Sequence, residues 1–181
     1  MPVTADHPSV GPDSRRPAAS TIADPPGIAA WRRFLEAHAR VTRRLDDELQ
    51  AAHGLSLAEY DALLQIATTP GRRIRMNVLA ERVLLSRSGI TRLVDRLEAQ
   101  GCVERIACQT DARGQEALLT SAGLDRLREA AATHLDGIRR SFLDRLDPAE
   151  LAALESALGK VAAPPGPDGR NVHEGCPPAK A

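Results

Sequence analysis

With 181 residues the chain is long enough for one domain with a sizeable core. Only 2% of residues are aromatic, so that core must be built from Leu, Val, Ile and Ala, and a formal net charge of +0 gives no overall basic signature. No apolar run approaches the ~18 residues of a membrane span, the first residues lack the basic start and apolar core of a signal peptide, and Cys102, Cys108 and Cys176 have no framework spacing. A reduced, cytoplasmic protein is expected.

Residues 1–26 hold many Pro, Asp, Ser and Ala residues and no apolar period, and 164–181 is the same kind of segment; both are expected to be disordered. Residues 27–53 carry Ile28, Trp31, Leu35, Val41, Leu45 and Leu49 at helical spacing, with arginines on the other side. Such a helix is about 40 Å long by its rise per residue, and it needs something to pack on beyond its own neighbours. Gly54 breaks it. Ser56-Leu57-Ala58-Glu59 is a capping box that opens a helix with Tyr60, Leu63, Leu64 and Ala67 inward, and Thr69-Pro70-Gly71 ends that helix.

Met76 to Gly101 reads as two helices joined by a tight corner. The first carries Val78, Leu79, Val83 and Leu84; the second carries Ile90, Leu93, Val94 and Leu97. Ser86 stands where the second helix should be capped, and Gly101 where it should end in a left-handed residue. The face opposite the second stripe offers Arg87, Ser88, Thr91, Arg92, Asp95 and Arg96. Cations and hydroxyls on a second helix held by a first helix and a corner suit a DNA major groove. Charge distribution agrees: between Arg72 and Arg113 nine arginines outnumber five carboxylates, so the middle of the chain is basic.

After Gly101 the period changes. Val103–Ala107 alternates as a strand, 109–114 is a polar turn, and 116–119 returns as a second strand, which makes a hairpin, or wing, directly after the helix pair. Ser121 is expected to cap a helix carrying Leu124, Leu127, Ala131, Leu135, Ile138 and Phe142. Asp147-Pro148-Ala149-Glu150 opens a last helix with Leu151, Leu154, Leu158 and Val161. The expected fold is mainly α with a small β-hairpin wing: a winged helix-turn-helix flanked by long terminal helices, spanning 27–163.

From Trp31 to Val161 the chain resembles the MarR family of bacterial transcription regulators. The specific text is Leu85-Ser86-Arg87-Ser88-Gly89-Ile90-Thr91-Arg92-Leu93-Val94-Asp95-Arg96-Leu97-Glu98, then Gly101-Cys102-Val103-Glu104-Arg105, Asp111-x-Arg113, and Leu119-Thr120-x-x-Gly123. Cys102 departs from the family's usual aliphatic residue. The resemblance implies a homodimer whose terminal helices interlock, and two winged helices on successive major grooves of a pseudo-palindromic double-stranded DNA operator. It implies a repressor released by a small, often phenolic, effector.

By that resemblance Ser86, Arg87, Ser88, Thr91 and Arg92 are expected DNA contacts on the second helix. Arg113 is expected to reach the minor groove from the wing, with Asp111 bracing it. Arg96 either binds phosphate or pairs within its own helix. Trp31, Phe34 and Tyr60 either line an effector cleft or simply fill the core. No cofactor or metal is expected, since His38, His53 and His134 have no ligand spacing; a redox- or metal-responsive regulator of the same fold, with Cys108 exposed on the wing, stays an alternative, as does a protein-docking module. With no phosphate loop, metal motif or nucleophile and base, an enzyme is not expected.

Overall fold

The computed structural model of the protein describes residues 25–108 and 114–162. The segments expected to be disordered lie outside these residues except for Pro25 and Pro26, and so do Asp111 and Arg113 at the hairpin tip. The elements run α1 (Ile28–His53), α2 (Leu57–Ala67), a 3-10 turn (Pro70–Arg72), β1 (Arg73–Arg75), α3 (Met76–Arg82), α4 (Arg87–Ala99), β2 (Val103–Ala107), β3 (Gln115–Leu119), α5 (Ser121–Ser141), a second 3-10 turn (Leu143–Arg145) and α6 (Pro148–Ala162).

The expected hairpin is present, and it gains a third strand. The antiparallel sheet has the order β1-β3-β2, with Val103 opposite Leu119 and Ile74 opposite Ala117. β1 ties the wing to the start of α3. Leu49, Leu63, Ile66, Ile74, Leu79, Ile90, Leu93, Val94, Leu97, Val103 and Ala117 form one core under α2, α3, α4 and the sheet. Each buried Leu, Ile or Val removes enough apolar surface from water to contribute roughly 1.5–3 kcal/mol.

Helix ends follow local chemistry. The Ser56 box closes in both directions, with Glu59 N donating to Ser56 Oγ at 3.3 Å and Ser56 N to Glu59 Oε2 at 3.0 Å. Asp46 of α1 adds a third restraint, accepting from Leu57 N at 2.7 Å. The end of α1 is closed from α5, where Arg126 Nη2 donates to the carbonyls of His53 (3.0 Å) and Gly54 (3.2 Å); a cation suits the negative end of a helix. Asp147 and Glu150 cap α6 reciprocally at 2.9 Å.

Four expectations change. Thr120, not Ser121, caps α5, its Oγ1 accepting from Gly123 N at 3.0 Å. Phe142 is not in α5 but turns out of it at φ −134°. Leu64, expected inward, is exposed, and so is Leu84, at 90%. Leu84 does not continue the α3 stripe because it is the left-handed residue of the corner, at φ +56°. Around it Leu84 N bonds to Glu81 O and Leu85 N to Ala80 O, the paired closure of a Schellman turn. The same closure ends α4, with Gly101 at φ +70°, Gly101 N on Glu98 O and Cys102 N on Leu97 O.

α1 and α5 cross closely at Gly137. A Cβ there would lie 2.6 Å from Leu45 Cδ2 and 2.7 Å from Glu48 Oε2. Beside it Arg140 Nη2 meets Glu48 Oε2 at 2.9 Å, and His53 Nε2 meets Thr133 Oγ1 at 2.8 Å. The other half of α1 has no cover within the described residues. Trp31, Phe34 and Leu35 are exposed, as are Leu135, Leu143, Leu158 and Val161, and no residue of α6 is buried.

Candidate nucleic-acid interface and effector cleft

α4 is held from behind and displayed in front. Ile90, Leu93, Val94 and Leu97 are 2% exposed or less, which fixes its rotation. Arg87, Ser88, Thr91, Arg92, Asp95 and Arg96 are all exposed on the other side. Ser86 Oγ accepts from Gly89 N at 3.1 Å and lies 3.2 Å from Ser88 Oγ, so this expected contact residue is first of all the helix cap. Thr91 Oγ1 donates to Arg87 O at 2.8 Å, which leaves its oxygen lone pairs facing outward.

Arg96 has a different partner from the one its sequence position suggested. Its Nε donates to Glu59 Oε1 of α2 at 2.9 Å, and its Nη1 to Arg92 O at 3.3 Å. Glu59 is only 5% exposed. Burial alone would raise its pKa; the Ser56 N–H and hydroxyl and the Arg96 guanidinium outweigh burial and hold it below its ordinary value.

Arg105 of β2 was not singled out from sequence, yet it joins wing to helix. Its guanidinium meets Asp95 at 2.5 Å, Glu98 Oε2 at 2.9 Å and Thr91 O at 3.0 Å, while Glu98 Oε1 accepts from Arg105 N at 3.2 Å. Strand β2 is thereby fixed against α4, and Asp95 and Glu98 are turned to internal use. The only sequence signal was an i, i+3 pair of acids followed by an Arg on a strand. Where the wing meets the start of α4, Arg75, Asn77, Arg87, Thr91, Gly114 and Gln115 help line a groove of about 370 Å³. Arg75 and Asn77 line the same groove as the expected contacts Arg87 and Thr91 and were missed: Arg75 lies on a strand too short to read, and Asn77 on the first turn of α3, whose sequence shows only its apolar stripe.

Cys108 is not exposed on the wing: it is 4% exposed, its N–H bonds to Gly114 O, and Arg75 Nη2 reaches its Sγ at 3.5 Å. Arg105, the nearest cation to it along β2, is engaged with α4. Cys102 is also buried, and burial pushes its thiol pKa up, away from a reactive thiolate.

The three expected effector residues are not brought together. Tyr60 sits on the floor of a cleft of about 840 Å³ between α1, α2, the α3–α4 corner and α5. Its ring lies 4.3 Å from that of His134, and burial raises the Tyr60 pKa and lowers that of His134. Phe34 lines a separate apolar groove of about 480 Å³ with Phe142, Leu154 and Leu158. Trp31 stacks on Phe34 at 5.9 Å, about two turns up α1 from the cleft's first lining residue, His38. Among the described residues no three His, Cys, Asp or Glu side chains converge as a metal would require.

Comparison with known proteins agrees with this geometry. Residues 53–114 match a model of the MarR family. AbsC, a MarR family transcriptional regulator from Streptomyces coelicolor, is 36% identical with a TM-score of 0.70, over 75% of this chain and 90% of that one. Sco3205, a MarR family regulator of the same organism solved in complex with DNA, is 37% identical with a TM-score of 0.70, over 75% and 84%. An HTH-type transcriptional regulator from Bacillus cereus is 29% identical over 135 residues, 75% of this chain and 88% of that protein. The chain belongs to the MarR family of winged-helix transcriptional regulators.

Proposed function

We propose that the protein binds a pseudo-palindromic DNA operator as a homodimer, represses transcription there, and leaves the operator when a small effector enters the α1–α2–α5 cleft. The observation that carries DNA binding is the exposed face of α4. Arg87, Ser88, Thr91 and Arg92 point away from a stripe buried to 2% or less, so they are presented in fixed rotation, and Arg75 and Asn77 extend the same surface. Arg and hydroxyl side chains read guanine edges and phosphates. The relative solved with DNA supports the same reading.

Dimerisation is supported by the apolar surface on α1, α5 and α6 that the described residues of one subunit do not cover. An obligate interface typically buries more than about 2,000 Å². Two copies would place their α4 helices on half-sites about one helical turn apart, roughly 34–36 Å. Asp111 and Arg113 are proposed to complete the surface at the wing tip. The effector role rests on the cleft, whose volume is in the range of small-molecule sites and whose walls include both α1 and the corner that leads into α4.

A mobility shift with the DNA flanking the protein's own gene, with random-sequence DNA as competitor, tests this. Binding that survives a large excess of random DNA is expected. Failure to bind either DNA would leave the winged helix as a docking module and overturn the reading.

A further inference from the structure

We propose that the cleft over Tyr60 selects a small lipophilic cation, rather than the aromatic acids or phenols expected of an effector; this rests on the reading of the cleft as the effector site. The argument is the distribution of charge and apolar surface. Two half-buried carboxylates, Asp46 and Asp61, belong to the lining, and the only Arg or Lys among the lining residues, Arg43, is exposed at the rim. Asp46 spends one oxygen on Leu57 N and Asp61 one on Gln65 Nε2 at 3.3 Å, which leaves each a second oxygen. His134 adds no charge near neutral pH, since burial lowers its pKa. The fixed field in the cleft is therefore acidic. Carboxylates beside an aromatic floor are complementary to a desolvated organic cation and repel an organic anion.

The corner residue supplies the apolar half. Leu84 is 90% exposed at the cleft's lip and held at φ +56°, where Gly or Asn would be easier. A branched apolar side chain kept in strain and in water is well placed to be covered by an apolar ligand. A ligand held between Asp61 and Leu84 touches α2 and the α3–α4 corner together. It then acts on operator binding through differential affinity for the DNA-bound and released shapes of the proposed dimer.

The test uses two ions of nearly the same shape and opposite charge, tetraphenylphosphonium and tetraphenylborate, on the full-length protein. Calorimetric titration and melting temperature read binding; operator affinity reads release. Tetraphenylphosphonium is expected to bind more tightly, raise the melting temperature and weaken operator binding. Asp61→Asn should weaken it by about five- to ten-fold, the scale of one partly screened ion pair, and Arg43→Glu, at an exposed site, should tighten it. If tetraphenylborate binds as well or better, releases the operator and loses affinity in Arg43→Glu, the cleft is an effector site and the charge assignment is wrong. If neither ion binds wild type or either variant, or both leave operator affinity unchanged, the effector reading of the cleft falls and the cation proposal with it.

Discussion

The Arg96 guanidinium donates to Glu59 Oε1 at 2.9 Å, so α4 is tied to the first turn of α2, 37 residues earlier in the chain. The same carboxylate closes the Ser56 capping box through its other oxygen. One buried acid therefore serves a local cap and a long-range strut.

Removing Arg96 strips one partner from that acid. Arg96→Ala is expected to destabilise the fold by roughly 1–2 kcal/mol: a charged hydrogen bond to a buried group is lost, but the Arg96 side chain is 55% exposed and solvent screens it. Urea unfolding reads this. Arg96→Lys should recover only part, since its single ammonium cannot also hold Arg92 O in the same fork. If Arg96→Ala unfolds like wild type yet loses operator affinity, Arg96 is a phosphate contact and not a strut.

The acid limb of stability follows from the same pair. The folded pKa of Glu59 lies below its unfolded value, so its contribution is fully present above the unfolded value. It is lost as pH falls through the ordinary carboxylate range toward the folded value. Glu59→Gln should lower stability at neutral pH and flatten its decline over that acid window. Parallel stability–pH curves for the two proteins would remove Glu59 as a source of acid sensitivity.

Arg92 presents the cleanest test of base reading. It is exposed on α4, and no ion pair is found for its side chain among the described residues. Arg92→Ala should cost about 1–3 kcal/mol per guanine contact and relax preference at one base position per half-site. Arg113→Ala, on the proposed wing tip, should instead weaken many sequences alike and lower the salt slope by roughly one unit per phosphate charge lost. Operator titrations against salt separate the two. Identical behaviour of the two variants would deny the division between helix and wing.

Two glycines should differ in what a methyl group costs. At Gly123 a Cβ would run into the Cys102 carbonyl, which is main chain and cannot step aside. At Gly137 it would meet the ends of Leu45 and Glu48, which can rotate away at some loss to the Glu48–Arg140 pair. Gly123→Ala should fall at or above the upper end of roughly 1–3 kcal/mol and Gly137→Ala toward the lower end. Melting temperatures in the reverse order would contradict the packing described.

The left-handed corner gives a change in the other direction. Leu84→Gly removes a strain of roughly 1–2 kcal/mol, partly offset by the greater freedom of Gly in the unfolded chain. A net gain of about 0.5–1 kcal/mol in urea unfolding is expected, together with weaker response to any cleft ligand. A loss of stability would show that Leu84 is covered in the assembled protein.

What was legible in the sequence was local. The Ser56 box, the Ser86 cap, the Asp147 box and the left-handed Gly101 each depend on residues within one turn, and each is found as read. The hairpin was legible because β2 and β3 are close in sequence and a polar turn separates them. β1 was not: three residues carry no period, and their partner β3 is more than 40 positions away. Leu84 misled because an apolar residue at helical spacing looks the same whether it continues a helix or ends one. Arg96 was ambiguous, and Arg105 overlooked, for a related reason. An exposed-looking Arg declares its charge in sequence but not which distant carboxylate it meets. Trp31, Phe34 and Tyr60 were grouped by residue type, and only the placing of α2 against α1 sets Tyr60 apart from the stacked Trp31 and Phe34.

The β1–β3 pairing has a mechanical consequence. β1 clamps the wing to the start of α3, and Arg105 clamps it to α4, so helix-turn-helix and wing form one stiff block. Such a block cannot twist one helix against its neighbour; it can only tilt as a whole. The 21-residue α5 behind it is a lever about 31 Å long. A tilt of about 5° at one end of a lever that long shifts the other end by about 3 Å, close to the rise of one base pair. In the proposed dimer a small tilt between the two subunits' α5 helices is thus multiplied into a mismatch with the operator's pitch. The reading face of each block is left unaltered, while the distance between the two no longer fits.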